Sequence, residues 1–257
     1  MSDLQIDVTD SVATVTLDRP PVNAITRDTM VEIRDAFTSF NERQDVRVAI
    51  FTAAGERGFI AGVDLKAVDA PPPGGATAAL DPGRGARDAM WAITDCAVPV
   101  IGAINGPALG AGVAFAACCD MLVASDNATF GTTEINVGLL GASSHLSLLV
   151  GRYKAREMFF TGEVVSAAEL YRLGSVRAVV PRAELMVTAG ELAATLAKKS
   201  PIALRLAKES MNRVEGQPLK DAYRTEQDYT ARLSHFEDAG EARQAYLEKR
   251  DPDWKWR

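Results

Sequence analysis

The sequence is poor in the residues that build metal and disulfide sites. It holds two histidines, His145 and His235, and three cysteines, two of them adjacent at Cys118 and Cys119. There is no Cys-x-x-Cys and no His-Glu-x-x-His, so no metal site is expected. Three cysteines do not make a disulfide framework and fit reduced thiols in a cytoplasmic setting. No apolar run reaches the roughly 18 residues that a membrane-spanning helix needs. The opening MSDLQIDVTD carries acids and no basic stretch, unlike a secretory signal. Lys and Arg number 28 against 34 Asp and Glu, a net charge of -6, which gives nucleic-acid binding no electrostatic support. The phosphate-binding G-x-x-x-x-G-K-[ST] pattern is missing. The glycines at 106, 110 and 112 fail the dinucleotide fingerprint, because Phe115 stands where a small residue is required. A G-x-S-x-G nucleophile elbow is absent too. What is left is an ordinary globular mix, 47% hydrophobic and 24% charged over 257 residues, enough for one domain or two small ones.

The patterning alternates strand and helix. Leu4, Ile6 and Val8 share one face, and Val12–Leu17 alternates after a turn at 9–11, so two short strands are expected. Pro20 and Pro21 end the second. Thr26 is placed to cap a helix reaching about Glu42, with Met30, Ile33, Phe37 and Phe40 on one face. Buried strands are expected at 46–51, 98–104, 121–124 and 176–180, and helices at 87–96, 152–160 and 167–173. A new helix is expected within 59–69. The segment 70–86, rich in Pro, Gly and Ala, reads as an insertion loop within one domain. A helix start is expected at 143–150, with serines as caps. From Arg182 to about Tyr246 the pattern is almost wholly helical, with an apolar stripe of Leu219, Ala222, Tyr223, Tyr229 and Leu233. Strand–helix–strand order of this kind implies an α/β fold with right-handed crossovers.

Two small-residue segments, Ile60–Leu65 and Gly106–Gly112, each lead from a strand toward a helix start. Unencumbered N–H groups there can stabilise a developing negative charge. On pattern alone, tight turns and close helix packing are the favoured account of such segments, because small-residue turns are common.

Five stretches resemble the crotonase family, the enoyl-CoA hydratases and isomerases: PVNAI (21–25), FIAGVDL (59–65), PVIGAINGPALGAGVAFAACCDMLVAS (99–125), FGTTEINVGLL (130–140) and EDAGEARQAYLEKRDPDW (237–254). They span nearly the whole chain in the family's order. The resemblance implies a spiral of repeated ββα turns over 1–195, holding an acyl-CoA site. It also implies a helical C-terminal region, 196–257, that builds homotrimers, often paired into hexamers. The CoA thioester is the substrate, and no separate cofactor is implied. By position the two oxyanion donors are the N–H groups of Ala61 and Ala111, the second more usually a glycine. Val22, Ala24, Val63, Asp64 and Leu65 fall where the family lines the CoA path, and Lys249 or Arg250 is a candidate for the CoA phosphates.

Family hydratases carry two glutamates, one three residues after the second donor and one twenty residues further on. Here the first position is Ala114 and the second is Glu134. Adding water needs both a base for the water and an acid for the α-carbon. A lone carboxylate can instead carry a proton from C2 to C4 of a 3-enoyl thioester, as the family's isomerases do. Isomerisation is therefore the favoured expectation, with an altered hydratase or a non-catalytic acyl-CoA binder as alternatives. The aspartate of related synthases and dehalogenases would fall at Gly141. His145 is a candidate second acid or base, or else an inert residue at a helix start. Hydrolysis or decarboxylation with its help is a third alternative.

Overall fold

The computed structural model describes residues 2–64 and 81–257. Strands β1 (Leu4–Thr9) and β2 (Val12–Leu17) form an antiparallel hairpin. Its two-residue turn, Asp10 and Ser11, has φ of 51° and 64°, the left-handed pair that matches strand twist. β2 buries Ala13, Val15 and Leu17, as its alternation requires. The alternation of β1 does not become burial: Leu4 is covered, but Ile6 and Val8 are exposed, because β1 is an edge strand.

Helix α1 (Arg27–Ser39) begins where expected. Thr26 Oγ1 accepts the Thr29 N–H, closing a capping box. β3 (Val48–Ala53), β4 (Val100–Ile104), β6 (Met121–Ser125) and β9 (Ala178–Val180) continue the sheet from β2, all in parallel, in the order β1-β2-β3-β4-β6-β9. Helix α2 (Arg84–Thr94) packs against α1 between β3 and β4. A second sheet, β5-β7-β8, holds β5 (Ala108–Leu109), β7 (Thr129–Gly131) and β8 (Val164–Ser166). Helices α3 (Ala111–Ala117), α4 (Ser143–Thr161) and α5 (Ala167–Leu173) follow the chain through it. This is the expected spiral of strand pairs and helices.

Two local expectations fail. Residues 59–64 are not helical: Ile60 bridges Ala108 and Val63 bridges Ile25, while 65–69, the rest of the expected helix, lies outside the described residues. Small residues there let strands approach instead of starting a helix. The serines that open α4, Ser143 and Ser144, are not caps either. Ala142, with φ of 56°, occupies the cap position and makes no side-chain bond.

The core is stitched by aromatic rings. Phe51 on β3 meets Phe37, Phe59 and Phe115 edge-on, with centroids 5.4, 5.3 and 6.3 Å away. Phe59 leads into the 60–64 segment and Phe115 belongs to α3, so one cluster fixes both against the sheet.

The C-terminal helices are α6 (Leu185–Ala197), α7 (Pro201–Val214), α8 (Leu219–Ser234) and α9 (Glu237–Glu248). α6 covers β3, β4 and β6. Ile202 and Leu206 of α7 pack with Tyr229 and Leu233 of α8. The apolar stripe of α8 therefore divides: Tyr229 is buried within the chain, whereas Leu219 and Tyr223 are exposed. No helix among the described residues is long and apolar enough to cross a membrane.

Candidate active site

Parallel strands present their following loops at one edge of a sheet, where α/β folds build sites. Here the loops after β2, β3 and β4 are tied together by buried amides. Asn23 Nδ2 donates to Ala54 O (2.9 Å) and Gly58 O (3.0 Å), and Asn105 Nδ2 donates to Ala53 O (2.6 Å). Asn23 has φ of 55°, which asparagine tolerates better than most residues. The loops also share backbone bonds: Ile25 N–H to Gly62 O and Asp64 N–H to Ile25 O, both 2.9 Å, and Leu109 N–H to Ile60 O, 2.9 Å. The segments 22–25, 60–64 and 107–112 thus lie side by side.

Gly112 is required at this junction. A Cβ on it would run into the Ile60 carbonyl oxygen and lie 3.2 Å from its carbon. Gly110 brings in the third component. It has φ of 55°, and a Cβ there would lie 2.8 Å from Glu134 Cδ and closer still to Oε1. The Glu134 carboxyl therefore rests on the residue before Ala111.

Glu134 sits in a 3₁₀ turn, Thr133–Val137, directly after β7. β7 pairs with β5, and Gly110 N–H donates to Gly131 O at 2.9 Å, which sets the carboxyl beside the start of α3. Gly141 flanks it on another side, since a Cβ there would lie 3.0 Å from Oε1. Glu134 is half-buried, and its Oε2 is buried with no hydrogen-bond partner among the described residues. Burial raises its pKa above 4.5, partly offset by its own backbone N–H. Partial removal from water, with no cation beside it among the described residues, is the condition that makes a carboxylate a better base.

Ala111 is the first residue of α3, and its N–H has no partner among the described residues. The first N–H groups of a helix have none within the helix. Ala114 follows one turn later and is buried.

The expectation for Ala61 is corrected. Its N–H donates to Val22 O at 3.2 Å and is not available to a ligand. The reason is pairing on either side of the bend at Gly62: Ala61 N–H is taken by Val22 O before it, and beyond it the bonds to Ile25 run through Gly62 O and Asp64 N–H. Val63 bridges Ile25 in parallel through the bonds of Gly62 and Asp64, so its own N–H faces away. That N–H has no partner among the described residues, and Val63 is exposed. Gly62, with φ of 101°, supplies the bend before it. The extended conformation that frees Val63 could have been read from the β-branched and glycine content of 59–63, had the helix expectation not displaced it.

The other candidates fall as follows. Val22 and Ala24 are half-buried, and their carbonyls accept bonds from Ala61 N–H and Arg19 Nη1. Asp64 pairs with Arg19 at 3.0 Å. Leu65 and most of 70–86 lie outside the described residues. His145 lies in the first turn of α4, four residues after Gly141. It is half-buried, with its pKa pulled below 6.5 by burial, and Nδ1 is 3.5 Å from Ser144 Oγ. Arg250 is engaged within the chain by Glu241 and Glu248, both at 2.6 Å, which weakens its case as a phosphate ligand. Among the described residues no three His, Cys, Asp or Glu side chains come together as a metal site.

The chain belongs to the enoyl-CoA hydratase/isomerase family, whose profile matches residues 7–257. It is 41% identical over 243 residues to the (7aS)-7a-methyl-1,5-dioxo-2,3,5,6,7,7a-hexahydro-1H-indene-carboxyl-CoA hydrolase of Rhodococcus jostii, covering 95% of this chain and 93% of that protein. It is 38% identical over 255 residues to a carnitinyl-CoA dehydratase of Escherichia coli, covering 96% of each. The enoyl-CoA hydratase structure from Bacillus anthracis superposes with a TM-score of 0.92 at 32% identity, covering 99% of this chain and 100% of that one.

Proposed function

We propose that this chain binds an acyl-CoA thioester with its carbonyl oxygen between the N–H groups of Val63 and Ala111, and that Glu134 moves protons on the adjoining carbons. The observation that carries this is the Glu134 carboxyl, partly desolvated and with one oxygen unpartnered, resting on Gly110 next to the Ala111 N–H. Taking a proton from C2 places negative charge on the thioester oxygen. Fixed N–H donors favour that enolate over the ground state, and one such donor is worth about 3 kcal/mol. Glu134, now protonated, returns the proton at C4, and the double bond moves into conjugation. One carboxylate suffices, which fits Ala114. The CoA is part of the substrate and no further cofactor enters. Assembly into trimers or paired trimers through 196–257 belongs to the same proposal, with exposed Leu219 and Tyr223 available for cover.

A second reading is hydrolysis, favoured by the 41% identity to a CoA-ester hydrolase. Glu134 would then deprotonate a water. Proton NMR in D2O separates the two. A 3-enoyl-CoA is expected to become the conjugated isomer, while a 2-enoyl-CoA gives no 3-hydroxy product. Hydration of the 2-enoyl-CoA would overturn the isomerase reading, and binding without turnover of either would favour the hydrolase or a non-catalytic binder.

Gly110 supplies a further test. Its left-handed φ and the space taken by Glu134 both exclude a side chain. Gly110→Ala is expected to lower kcat/KM about 100-fold, because the carboxyl must shift by an ångström or so. A steady-state comparison with wild type reads this, and an undiminished rate would mean that Glu134 need not sit here.

A further inference from the structure

We infer that Arg19 is a positioning residue for the thioester carbonyl, acting through the segment that presents the Val63 N–H. The inference rests on the reading of Val63 as an oxyanion donor. Arg19 stands at the end of β2, outside the reacting groups, and its planar fork holds two loops at once. Nη1 donates to Ala24 O at 2.8 Å, and Nη2 meets Asp64 Oδ2 at 3.0 Å. Nε lies 3.6 Å from Asp3 Oδ2, and Thr29 Oγ1 donates to that same carboxylate at 2.6 Å. The Arg19 backbone is fixed as well: its N–H donates to Asn23 Oδ1 at 2.9 Å, and its carbonyl accepts the Asn23 N–H at 2.9 Å.

Val63 lies between the anchors that this fork controls. On one side Gly62 turns the chain with φ of 101°, and on the other Asp64 is tied to Arg19. Between them the only described backbone restraint is the parallel bridge to Ile25, one residue after the carbonyl that Arg19 also grips. The Val63 N–H shares its peptide plane with the Gly62 carbonyl, which accepts the Ile25 N–H at 2.9 Å, so its direction follows the placement of Ile25, the neighbour of the carbonyl that Arg19 grips. Arg19 and Asp64 are each about a quarter exposed, at 28% and 24%, so their attraction is partly shielded from water. Guanidinium geometry lets one side chain satisfy a carbonyl and a carboxylate together, which an ammonium point charge cannot reproduce. Arg19 thereby holds the Val63 N–H in the direction the developing oxyanion needs. Preorganisation of that kind acts on the chemical step more than on binding.

The test uses the full chain with a conjugated 2,4-dienoyl-CoA, whose absorption moves to longer wavelength when N–H donors polarise its carbonyl. Wild type is expected to show that shift on binding. Arg19→Gln and Asp64→Asn are each expected to reduce the shift by about half or more and to lower kcat by about 10- to 100-fold, with KM changed less than about threefold. Arg19→Lys keeps the charge but loses the fork, and is expected to recover part of both. Asp64→Asn preserves size and leaves the Arg19 contacts to Ala24 and Asp3, so it remains informative if Arg19→Gln does not fold. A full wild-type shift in folded Asp64→Asn or Arg19→Gln would overturn the role of Arg19 and leave the oxyanion reading intact. Absence of any shift in wild type, with the probe bound, would overturn the reading of Val63 and this inference with it.

Discussion

Glu134→Gln is expected to lower kcat about 1000-fold, within the range for loss of a positioned acid/base, while acyl-CoA still binds within about threefold of wild type. Glutamine keeps the shape beside Gly110 and Gly141 but cannot exchange the proton. The pH profile carries a second signature. Burial holds the Glu134 pKa above 4.5, so the acidic limb of kcat/KM should lie above the ordinary glutamate range, with rate lost as pH falls through it. Burial lowers His145 below 6.5, so at neutral pH it is uncharged. The variant should also gain stability at neutral pH. A carboxyl whose folded pKa is raised costs stability as pH climbs from its unfolded value through the folded one, and below both the cost is absent. Melting curves at pH 7 and near pH 4 should therefore differ between wild type and variant only at the higher pH. Near wild-type turnover in Glu134→Gln would remove this residue from the mechanism.

Asp120→Ala is expected to have the largest effect on stability. Lys208 of α7 is buried, with 5% of its side chain exposed, and Nζ meets Asp120 Oδ2 at 2.7 Å. It also donates to Ile93 O (3.0 Å) and Val98 O (3.2 Å). The same Asp120 oxygen accepts the Val100 N–H at 2.7 Å, at the start of β4. One carboxylate thus joins the C-terminal helices to the sheet. Removing it leaves a buried ammonium uncompensated, which costs about 3 kcal/mol, the low end for buried pairs because Asp120 is 27% exposed. In a chain of this length that corresponds to roughly 6–12 °C in Tm. Lys208→Met removes the charge and fills the space, and should cost less. Urea unfolding of both variants measures the difference. A loss under about 1 kcal/mol in Asp120→Ala would mean that water replaces the carboxylate, as at a surface pair.

Much of the frame was legible because it is written in local patterns. The Thr26 cap, the alternation of β2 and the mostly apolar runs of β3 and β4 are each set by residues within a turn or two. The spacing of Ala111 and Glu134 likewise put the two on one site, and the Glu134 carboxyl does lie against Gly110, the residue before Ala111. The places where the expectation failed are non-local. Residues 59–64 carry no helix because Ile25 and Ala108, distant in sequence, pair with them. Ile6 and Val8 are exposed because β1 has a neighbour on one side alone.

The sequence by itself determined the family and most strands and helices of the main sheet, since periodicity, caps and motif spacing are properties of short stretches of chain. Tertiary structure alone decided which backbone N–H is left over. Ala61 and Val63 are two residues apart, and nothing local separates their donors. Strand pairing consumes the first, against Val22, and turns the second away from Ile25. It likewise decided that Arg19 should span two loops, that Glu134 should lose its water, and that Lys208 should find Asp120 from 88 residues away. Each of these depends on groups brought together by the winding of the sheet, and free energies of burial and pairing exist only once that winding is complete.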